Sequence, residues 1–333
     1  MMGKRQESTS PRWLLIATGV FGLLGAVLVV VTRYYEIQKA RAEAVRAQRE
    51  ADLALNPAPT APAISNPGAA APVGSGNARP ISDTVYYPLA PGVSMAFCWI
   101  PPGSATLGSP AGEFGRRPDE PEKQFVSKGF WLGKYEVTQA EWEAVTRTNP
   151  STFNGKRPGV VNGLNTANFP VDDLSWIDAQ NFIKSLAARR DAPSVFGKPC
   201  SFCLPHEDEW EYACRGGRGN AIPFYFGNAL NGRDSNCDGT RPFGVPAFGP
   251  MLGRTCAVGS YEKLAPHPWG LCDMHGNVHE YCETEARPAN KRVLRGGCYA
   301  SPPVLCRSAV RDIFGPDTNR YNTVGMRVCV RPE

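Results

Sequence analysis

The pattern of apolar and polar positions begins with one long apolar run near the N-terminus. Residues 13–31 contain only one Thr and three Gly among otherwise apolar side chains. A run of about 20 apolar residues is long enough to cross a bilayer as a helix. No small-residue cleavage site and no nearby Cys follows the run, so a cleaved signal peptide and a lipoprotein anchor are not favoured. The pattern predicts a single transmembrane helix over residues 13–32, after a short tail over residues 1–12.

Two segments without an apolar core pattern follow this predicted anchor. Residues 33–55 are rich in Ala, Glu, Arg and Gln, which are good helix formers, and they predict a solvated helical stalk. Residues 56–84 are rich in Pro, Ala, Gly and Ser, and they predict a linker that is partly extended. The remaining residues, 85–333, are predicted to form one folded domain.

Inside this domain the patterns change between strand and helix. Residues 94–103 and 130–137 predict strands, and the first of them closes in a Pro-Gly turn. From about residue 220 to the C-terminus the chain is rich in turns and short strands, without a convincing helix. Long loops around a few helices and small sheets indicate an α+β fold.

Three helix starts are visible in the first half of the domain. Thr138 with Glu141 forms a capping box, in which a hydroxyl and a carboxylate satisfy two unpaired N–H groups. Ser175 with Asp178 resembles the same motif. A third helix is predicted after Leu204, with three carboxylates in its first turn, where they suit the helix dipole.

Charge and cysteine content bear on partners and compartment. The net charge of +5, from 36 basic and 31 acidic residues, is too small and too dispersed to predict a nucleic-acid surface. Eleven Cys are many for a reduced compartment, and an odd number leaves at least one thiol unpaired within the chain. Basic residues on both sides of the anchor do not favour export of the C-terminus. The cysteines and the interleaved acidic residues nevertheless indicate a single-pass membrane protein with an extracytoplasmic, periplasmic domain.

Six short motifs occur in a fixed order along the domain. They are KYEVT (134–138), LSWIDA (174–179), LPHEDEWEYA (204–213), GLCDMHGNVHE (270–280), RGG (295–297) and GMRV (325–328). In this order they resemble the formylglycine-generating enzyme family, also called the sulfatase-modifying-factor domain, over residues 97–331. The resemblance implies a C-type-lectin-like fold with long loops.

The resemblance also shows where a catalytic centre would lie. Enzymes of this family convert a sulfatase Cys to formylglycine with oxygen and a copper(I) ion held by two Cys. The matching positions, four and nine residues after the second Gly of RGG, are Ser301 and Cys306. Copper(I) is soft and prefers thiolates, so a serine hydroxyl is a poor substitute. The sequence therefore predicts a domain without copper and without the family's activity.

Three more departures from the family's pattern belong to the same region. Cys298 stands where the family has Ser, His279 where it has Trp, and Thr323 where it has Asn. Cys298 could supply a thiolate in place of Ser301 only if the loop folds back. If the domain is active, Cys298 and Cys306 are the residues expected to carry the chemistry.

Two calcium sites are implied by the resemblance. The first would use Asp273, Gly276, Val278 and Glu280, which offer two carboxylates and backbone oxygens to a hard cation. In the alternative, these two carboxylates only hydrogen-bond the turn. The second would begin at Asn236 and the carbonyl of Cys237, but the Asp expected downstream has no clear match.

Several cysteines are candidates for disulfides. Cys200 and Cys203 form a C-x-x-C motif, which predicts a local structural bridge; free thiols, or a metal site without a second pair, are the alternatives. The resemblance implies a longer bridge between Cys214 and Cys306.

No Ser/His/Asp or Cys/His arrangement has an interpretable spacing, and no phosphate loop is present. Four arginines late in the chain are expected to brace loops rather than to bind an anion, because a guanidinium donates to several acceptors at once. They are Arg295, Arg307, Arg311 and Arg327.

These observations favour a membrane-anchored, non-catalytic member of the family, a pseudoenzyme. It would serve as a protein-interaction or structural component of a cell-envelope complex, with protein partners and no nucleic acid. One alternative is a copper-dependent oxidase that generates formylglycine or oxidises a thiol. Another is a lectin-like ligand-display protein.

Overall fold

The computed structural model describes residues 84–156, 161, 163–189, 191–286 and 290–333. The predicted tail, anchor and stalk, and all but the last residue of the predicted linker, lie outside these residues. Among the residues that are described, no helix is both long and apolar enough to cross a membrane. The predicted anchor over residues 13–32 therefore stays a prediction.

The main sheet joins the two ends of the domain. Its five strands run antiparallel in the order β1-β2-β5-β11-β6. Their bounds are β1 Thr84–Ala90, β2 Val93–Ile100, β5 Phe130–Gly133, β6 Cys200–Cys203 and β11 Cys329–Pro332. The last strand of the chain lies between β5 and β6, so the sheet is complete only when both ends of the domain are in place.

Two smaller sheets carry the remaining strands. One has the order β10-β7-β8-β9, and β10 pairs with β7 in parallel while the other pairs are antiparallel. Its strands are β7 His279–Ala286, β8 Lys291–Arg295, β9 Asp312–Phe314 and β10 Val324–Gly325. The other sheet is the hairpin of β3 Gly103–Leu107 and β4 Lys123–Ser127. Long loops connect these short strands, as the turn-rich sequence predicts.

Four helices are described, together with a single 3-10 turn at Pro303–Leu305. The helices are α1 Gln139–Thr146, α2 Trp176–Ala187, α3 Ala192–Phe196 and α4 Glu207–Arg215. The sequence predicted α1, α2 and α4 from their starts, but it did not predict the five-residue α3.

Both predicted capping boxes are present. In α1 the Thr138 hydroxyl accepts the Glu141 N–H at 3.2 Å, and the Glu141 carboxylate accepts the Thr138 N–H at 2.7 Å. In α2 Ser175 and Asp178 make the same pair of bonds. His206 is the N-cap of α4, and its ring nitrogen accepts the Asp208 N–H at 3.3 Å in place of a hydroxyl. These caps satisfy helix N–H groups that would otherwise lack partners.

The helices pack their apolar faces on the main sheet. Phe182 and Leu186 of α2 are fully buried, and the Trp142 ring of α1 stacks on Phe182 with 4.9 Å between ring centres. Trp131 of β5 belongs to the same core. Burial of such side chains is the main favourable term for a domain of this size.

Arg327 and Glu280 form a fully buried ion pair in the centre of the domain. The guanidinium donates to both carboxylate oxygens of Glu280 at 2.6–3.0 Å, and also to the carbonyls of Gly133, Lys134 and Cys272 at 2.9 Å each. Because the first two carbonyls accept from Arg327, the strand predicted over residues 130–137 ends at Gly133.

The other late arginines also brace loops, as expected. Arg295 pairs with Glu207 at 2.9 Å and donates to the carbonyls of Ser308 and Val310. Arg307 pairs with Glu120 through two bonds of 2.9 Å. Arg311 also pairs with Glu207. Buried guanidinium groups thus donate hydrogen bonds to loop carbonyls that have no donor in a sheet or helix.

We expect Arg327→Met to destabilise the protein by about 3–5 kcal/mol, because it leaves the Glu280 carboxylate buried and unpaired. The double variant Arg327→Met/Glu280→Gln should lose less, since no uncompensated charge remains. Urea unfolding of the full-length protein measures both. Lys156→Met, which removes an exposed ion pair with Glu143, is the control and should change stability by less than about 1 kcal/mol. Equal losses in the single and double variants would contradict the assigned role of the pair.

Candidate functional site

The four departures from the family's pattern lie next to one another in the structure. His279 begins β7 and pairs with Val324 of β10, and its N–H donates to the Thr323 carbonyl at 2.9 Å. Cys298 follows the RGG turn after β8, and Ser301 closes the loop behind it. Residues that are far apart in sequence are therefore linked in one hydrogen-bond network.

The His279 ring is buried, with oxygen acceptors near both nitrogens. Nε2 lies 3.2 Å from an Asp312 carboxylate oxygen, and Nδ1 lies 3.4 Å from the Thr323 carbonyl. The Phe314 ring packs against the imidazole. Burial alone would lower the pKa of His279, but its hydrogen bonds to Asp312 and Cys298 outweigh burial and raise the pKa to about 9. The Asp312 carboxylate thus favours the protonated form of the ring.

Donors surround the Cys298 thiol. The backbone N–H of Cys298 donates to the Ser301 hydroxyl oxygen at 3.0 Å, and the same oxygen lies 3.3 Å from the Cys298 sulfur. The His279 ring and the Ala300 N–H also hydrogen-bond the sulfur. Burial would raise the pKa of this thiol, but the hydrogen bond and positive charge of His279 bring it below its ordinary value.

Asp312, the first residue of β9, completes the network from the opposite side. One oxygen faces His279, and the other accepts from Arg117 at 3.0 Å. Burial acts to raise the Asp312 pKa, but these two cationic partners hold it below its usual range. The sequence did not identify Asp312, because 33 positions separate it from His279 and no motif contains both.

Cys306 has a hydrogen-bond partner for its thiol outside this network. It is fully buried, its thiol hydrogen-bonds Cys237, and it packs in the apolar cluster that includes Phe224 and Phe243. The Ser301 hydroxyl is instead bonded to Cys298. The two positions that the resemblance assigns to copper therefore offer one hydroxyl and one thiol with separate partners, which do not fit a copper(I) ion.

The first predicted calcium set has its strongest ligand engaged elsewhere. Both Glu280 oxygens accept from Arg327, and one also accepts from the Trp210 ring N–H at 2.7 Å. One Asp273 carboxylate oxygen accepts the Gly259 N–H at 2.6 Å. These bonds reach Arg327, Trp210 and Gly259 rather than the turn itself, so they are not the hydrogen bonds that the alternative expects, and the first calcium site stays a prediction.

The turn itself is held by a carboxylate that the sequence analysis did not single out. Glu136 accepts from the Asn277 side chain at 2.7 Å and from the Val278 N–H at 3.1 Å. Burial, and then the nearby Asp273 and Glu280 carboxylates, raise the pKa of Glu136 well above its ordinary value. Gly276 has φ of 92°, and an added Cβ would lie 2.3 Å from the Asn236 carbonyl oxygen, so only Gly fits.

The second predicted calcium set fits a cation in one respect. The Asn236 amide nitrogen donates to Arg254 and Asn277, while its side-chain oxygen is buried without a hydrogen-bond partner among the described residues. A cation would satisfy this oxygen. Within the same described part of the chain, no group of three or more His, Cys, Asp or Glu side chains is arranged around a metal position. Calcium binding stays a prediction.

The predicted cysteine pairs are not neighbours. All eleven cysteines are described, and all are free thiols. Cys200 and Cys203 are three residues apart on β6, so their side chains point to opposite faces of the strand. Cys203 instead lies directly opposite Cys329 of β11.

The second predicted pair is separated by a histidine. Cys214 contacts Ser308 at 3.5 Å and the His275 ring at 3.7 Å. The other nitrogen of this ring lies 2.7 Å from the Cys306 carbonyl. Burial raises the pKa of Cys214 to about 12 and lowers that of His275 to about 3, so both groups are neutral packing elements.

Comparison with known proteins identifies the class to which this fold and site belong. The family described as "Sulfatase-modifying factor enzyme 1-like domain" matches residues 91–332. The structure is also similar to the solved structure of Treponema denticola variable protein 1, with a TM-score of 0.61 and 23% identity over 75% of this chain and 99% of that one. The domain thus has the formylglycine-generating-enzyme type of C-type-lectin-like fold. The chain belongs to the sulfatase-modifying factor enzyme 1-like domain family.

Curated relatives include active and inactive proteins by name. The formylglycine-generating enzyme of Mus musculus is 23% identical over 268 residues, which cover 67% of this chain and 72% of that enzyme. The inactive C-alpha-formylglycine-generating enzyme 2 of Bos taurus is 32% identical over 136 residues, which cover 39% of this chain and 38% of that protein. The family and the α+β, lectin-like fold expected from the six motifs are confirmed.

In an oxidising environment we expect disulfides at Cys203–Cys329 and Cys237–Cys306, because these are the pairs whose thiols lie together. Peptide mapping of the full-length protein under non-reducing conditions identifies the bonds. Cys282, which is equally buried, should remain free and serves as the control. Detection of Cys200–Cys203 or Cys214–Cys306 as the main species would contradict this assignment.

Proposed function

We propose that this protein is a membrane-anchored, non-catalytic member of its family that acts as a protein-interaction or structural component of a cell-envelope complex. The observation that carries the proposal is the arrangement of Ser301 and Cys306. The hydroxyl of one is bonded to Cys298, and the thiol of the other faces Cys237. The donor set for formylglycine chemistry with copper is therefore incomplete.

The anchor and linker support a role at the envelope. A span over residues 13–32, a stalk over residues 33–55 and a Pro-rich linker would hold the domain away from the membrane while leaving it free to turn. Such a tether suits a domain that docks on neighbouring proteins. The cysteine content favours the extracytoplasmic side.

The surface offers an apolar segment for such docking. Phe248, Met251 and Leu252 lie within five residues of one another on a long loop, and 44–49% of each is exposed. Clustered exposed apolar side chains are typical of surfaces that bind another protein. Loss of the family's chemistry with retention of an exposed loop favours binding over catalysis.

A copper(I) titration of the full-length protein tests the loss of the family's chemistry. We expect no stoichiometric binding in competition with a copper(I) chelator. Ser301→Cys places a second thiol beside the Cys298 sulfur, and this variant should gain copper as the positive control. One tightly bound copper in the unmodified protein, lost in Cys306→Ser, would favour the copper-dependent oxidase instead.

Crosslinking in the native membrane tests the binding role. We expect a reproducible set of envelope proteins to be captured with the full-length chain and identified by mass spectrometry. Replacement of Phe248, Met251 and Leu252 by Ser should reduce capture by about tenfold or more, since apolar contacts dominate such interfaces. Val126→Ser removes a more exposed apolar side chain elsewhere and is the matched control. Unchanged capture by the triple variant would exclude this loop as the contact.

A further inference from the structure

A groove with a volume of about 400 Å³ lies between the loop that joins β3 to β4 and two turns from the second half of the domain. Glu113 and Phe114 line it from the first loop, and Pro223 and Phe243 line it from the two turns. This volume is in the usual range of ligand pockets. None of these residues belongs to the candidate site or to the predicted calcium sets.

Phe114 is an exposed aromatic ring on a rigid support. Its exposed fraction is 77%, and its ring centre lies 5.5 Å from that of Phe243, which is buried. Phe243 packs edge-on against the buried Phe224 ring and exchanges two backbone hydrogen bonds of 2.9 and 3.0 Å with Leu230. Phe114 therefore offers an aromatic face from a position that the core fixes.

Arg307 holds the loop that carries Phe114. This arginine is fully buried, and its guanidinium donates to the Gly115 carbonyl at 2.5 Å and pairs with the carboxylates of Glu113 and Glu120. Because the loop is already ordered, a ligand that binds to it loses little affinity to the ordering of the protein.

Glu113 supplies the groove with an unused hydrogen-bond acceptor. One of its carboxylate oxygens pairs with Arg307, while the other is buried and has no hydrogen-bond partner among the described residues. Arg307 is shared with the Glu120 carboxylate, so the three side chains together carry a net negative charge. Of the described residues that line the groove, Glu113 is the one with a charged side chain. A cationic donor complements this acceptor, because a buried carboxylate oxygen without a donor is costly.

We propose that this groove binds an arginine side chain of a partner protein. A guanidinium is planar and cationic, so it stacks on an aromatic ring and donates to a carboxylate at the same time. Phe114 offers the ring, and Glu113 offers the acceptor. A lysine ammonium pairs with a carboxylate but has no flat surface to stack on the ring. The inference rests on the proposed function and deepens it, because it names the chemistry of the protein partner.

Saturation-transfer NMR of the full-length protein tests the groove, with acetyl-arginine N-methylamide as the probe. We expect this probe to bind. Acetyl-citrulline N-methylamide has the same shape but a neutral urea group, and it should bind at least about fivefold more weakly, since hydrogen bonds between charged groups are the stronger ones. Equal binding of the two probes, or no binding of the arginine probe, would overturn the proposal.

Variants locate the binding. Phe114→Ser removes the stacking face and should weaken binding of the arginine probe about fivefold, while Glu113→Gln should abolish the preference for arginine over citrulline. Tyr86→Ser and Glu143→Gln remove an exposed ring and an exposed carboxylate elsewhere, and these matched controls should bind as the unmodified protein does. If Glu113→Gln does not fold, Phe114→Ser decides, because its side chain is mostly exposed. Unchanged binding in Phe114→Ser would contradict the assignment.

Failure of the groove and failure of the proposed function give different results. Arginine-probe binding without crosslinked envelope proteins would contradict the proposed function and support the groove. Crosslinked envelope proteins without arginine-probe binding would exclude the groove and leave the proposed function in place.

Discussion

The buried ion pair of Arg327 and Glu280 joins the segments on which the rest of the domain depends. Arg327 lies just before the last strand, and Glu280 lies in β7, beside His279. Through the same guanidinium the chain after β5 and the loop at Cys272 are held by their carbonyls. A charge removed from water is costly unless every donor is used, and here every donor direction has an acceptor. The pair thereby links the five-stranded sheet, through β11, to the four-stranded sheet, through β7.

The candidate site is a consequence of that arrangement. Once β7 is fixed by Glu280, His279 is directed toward the loop after the RGG turn, where Cys298 and Ser301 lie. β9 then brings Asp312 to the other side of the imidazole. At the two positions where the resemblance expects thiolates for a soft metal, this chain has Ser301 and Cys306. The Ser301 hydroxyl is bonded to Cys298, and the Cys306 thiol is bonded to Cys237.

Much of the fold could be predicted because it depends on local chemistry. The capping boxes at Thr138 and Ser175 work through atoms three residues apart, and both formed as expected. The strand end at Gly133 could not be predicted, because the Gly133 carbonyl accepts a hydrogen bond from Arg327, which is distant in sequence. The sequence predicted that the late arginines would brace loops, because guanidinium groups in loop-rich chains need acceptors. It did not predict which residues would be their partners.

The sequence alone determined the family, the lectin-like class, the helix starts and the residues at the two positions that match the family's copper ligands. Those features depend on short motifs and on contacts between residues that are close in sequence. Only the tertiary structure decided which thiols lie next to each other. It also decided that Glu280 pairs with Arg327 and that His279 lies between Cys298 and Asp312. Such contacts join residues that are far apart in sequence. Their geometry is set by sheet register and loop packing, which no local spacing encodes.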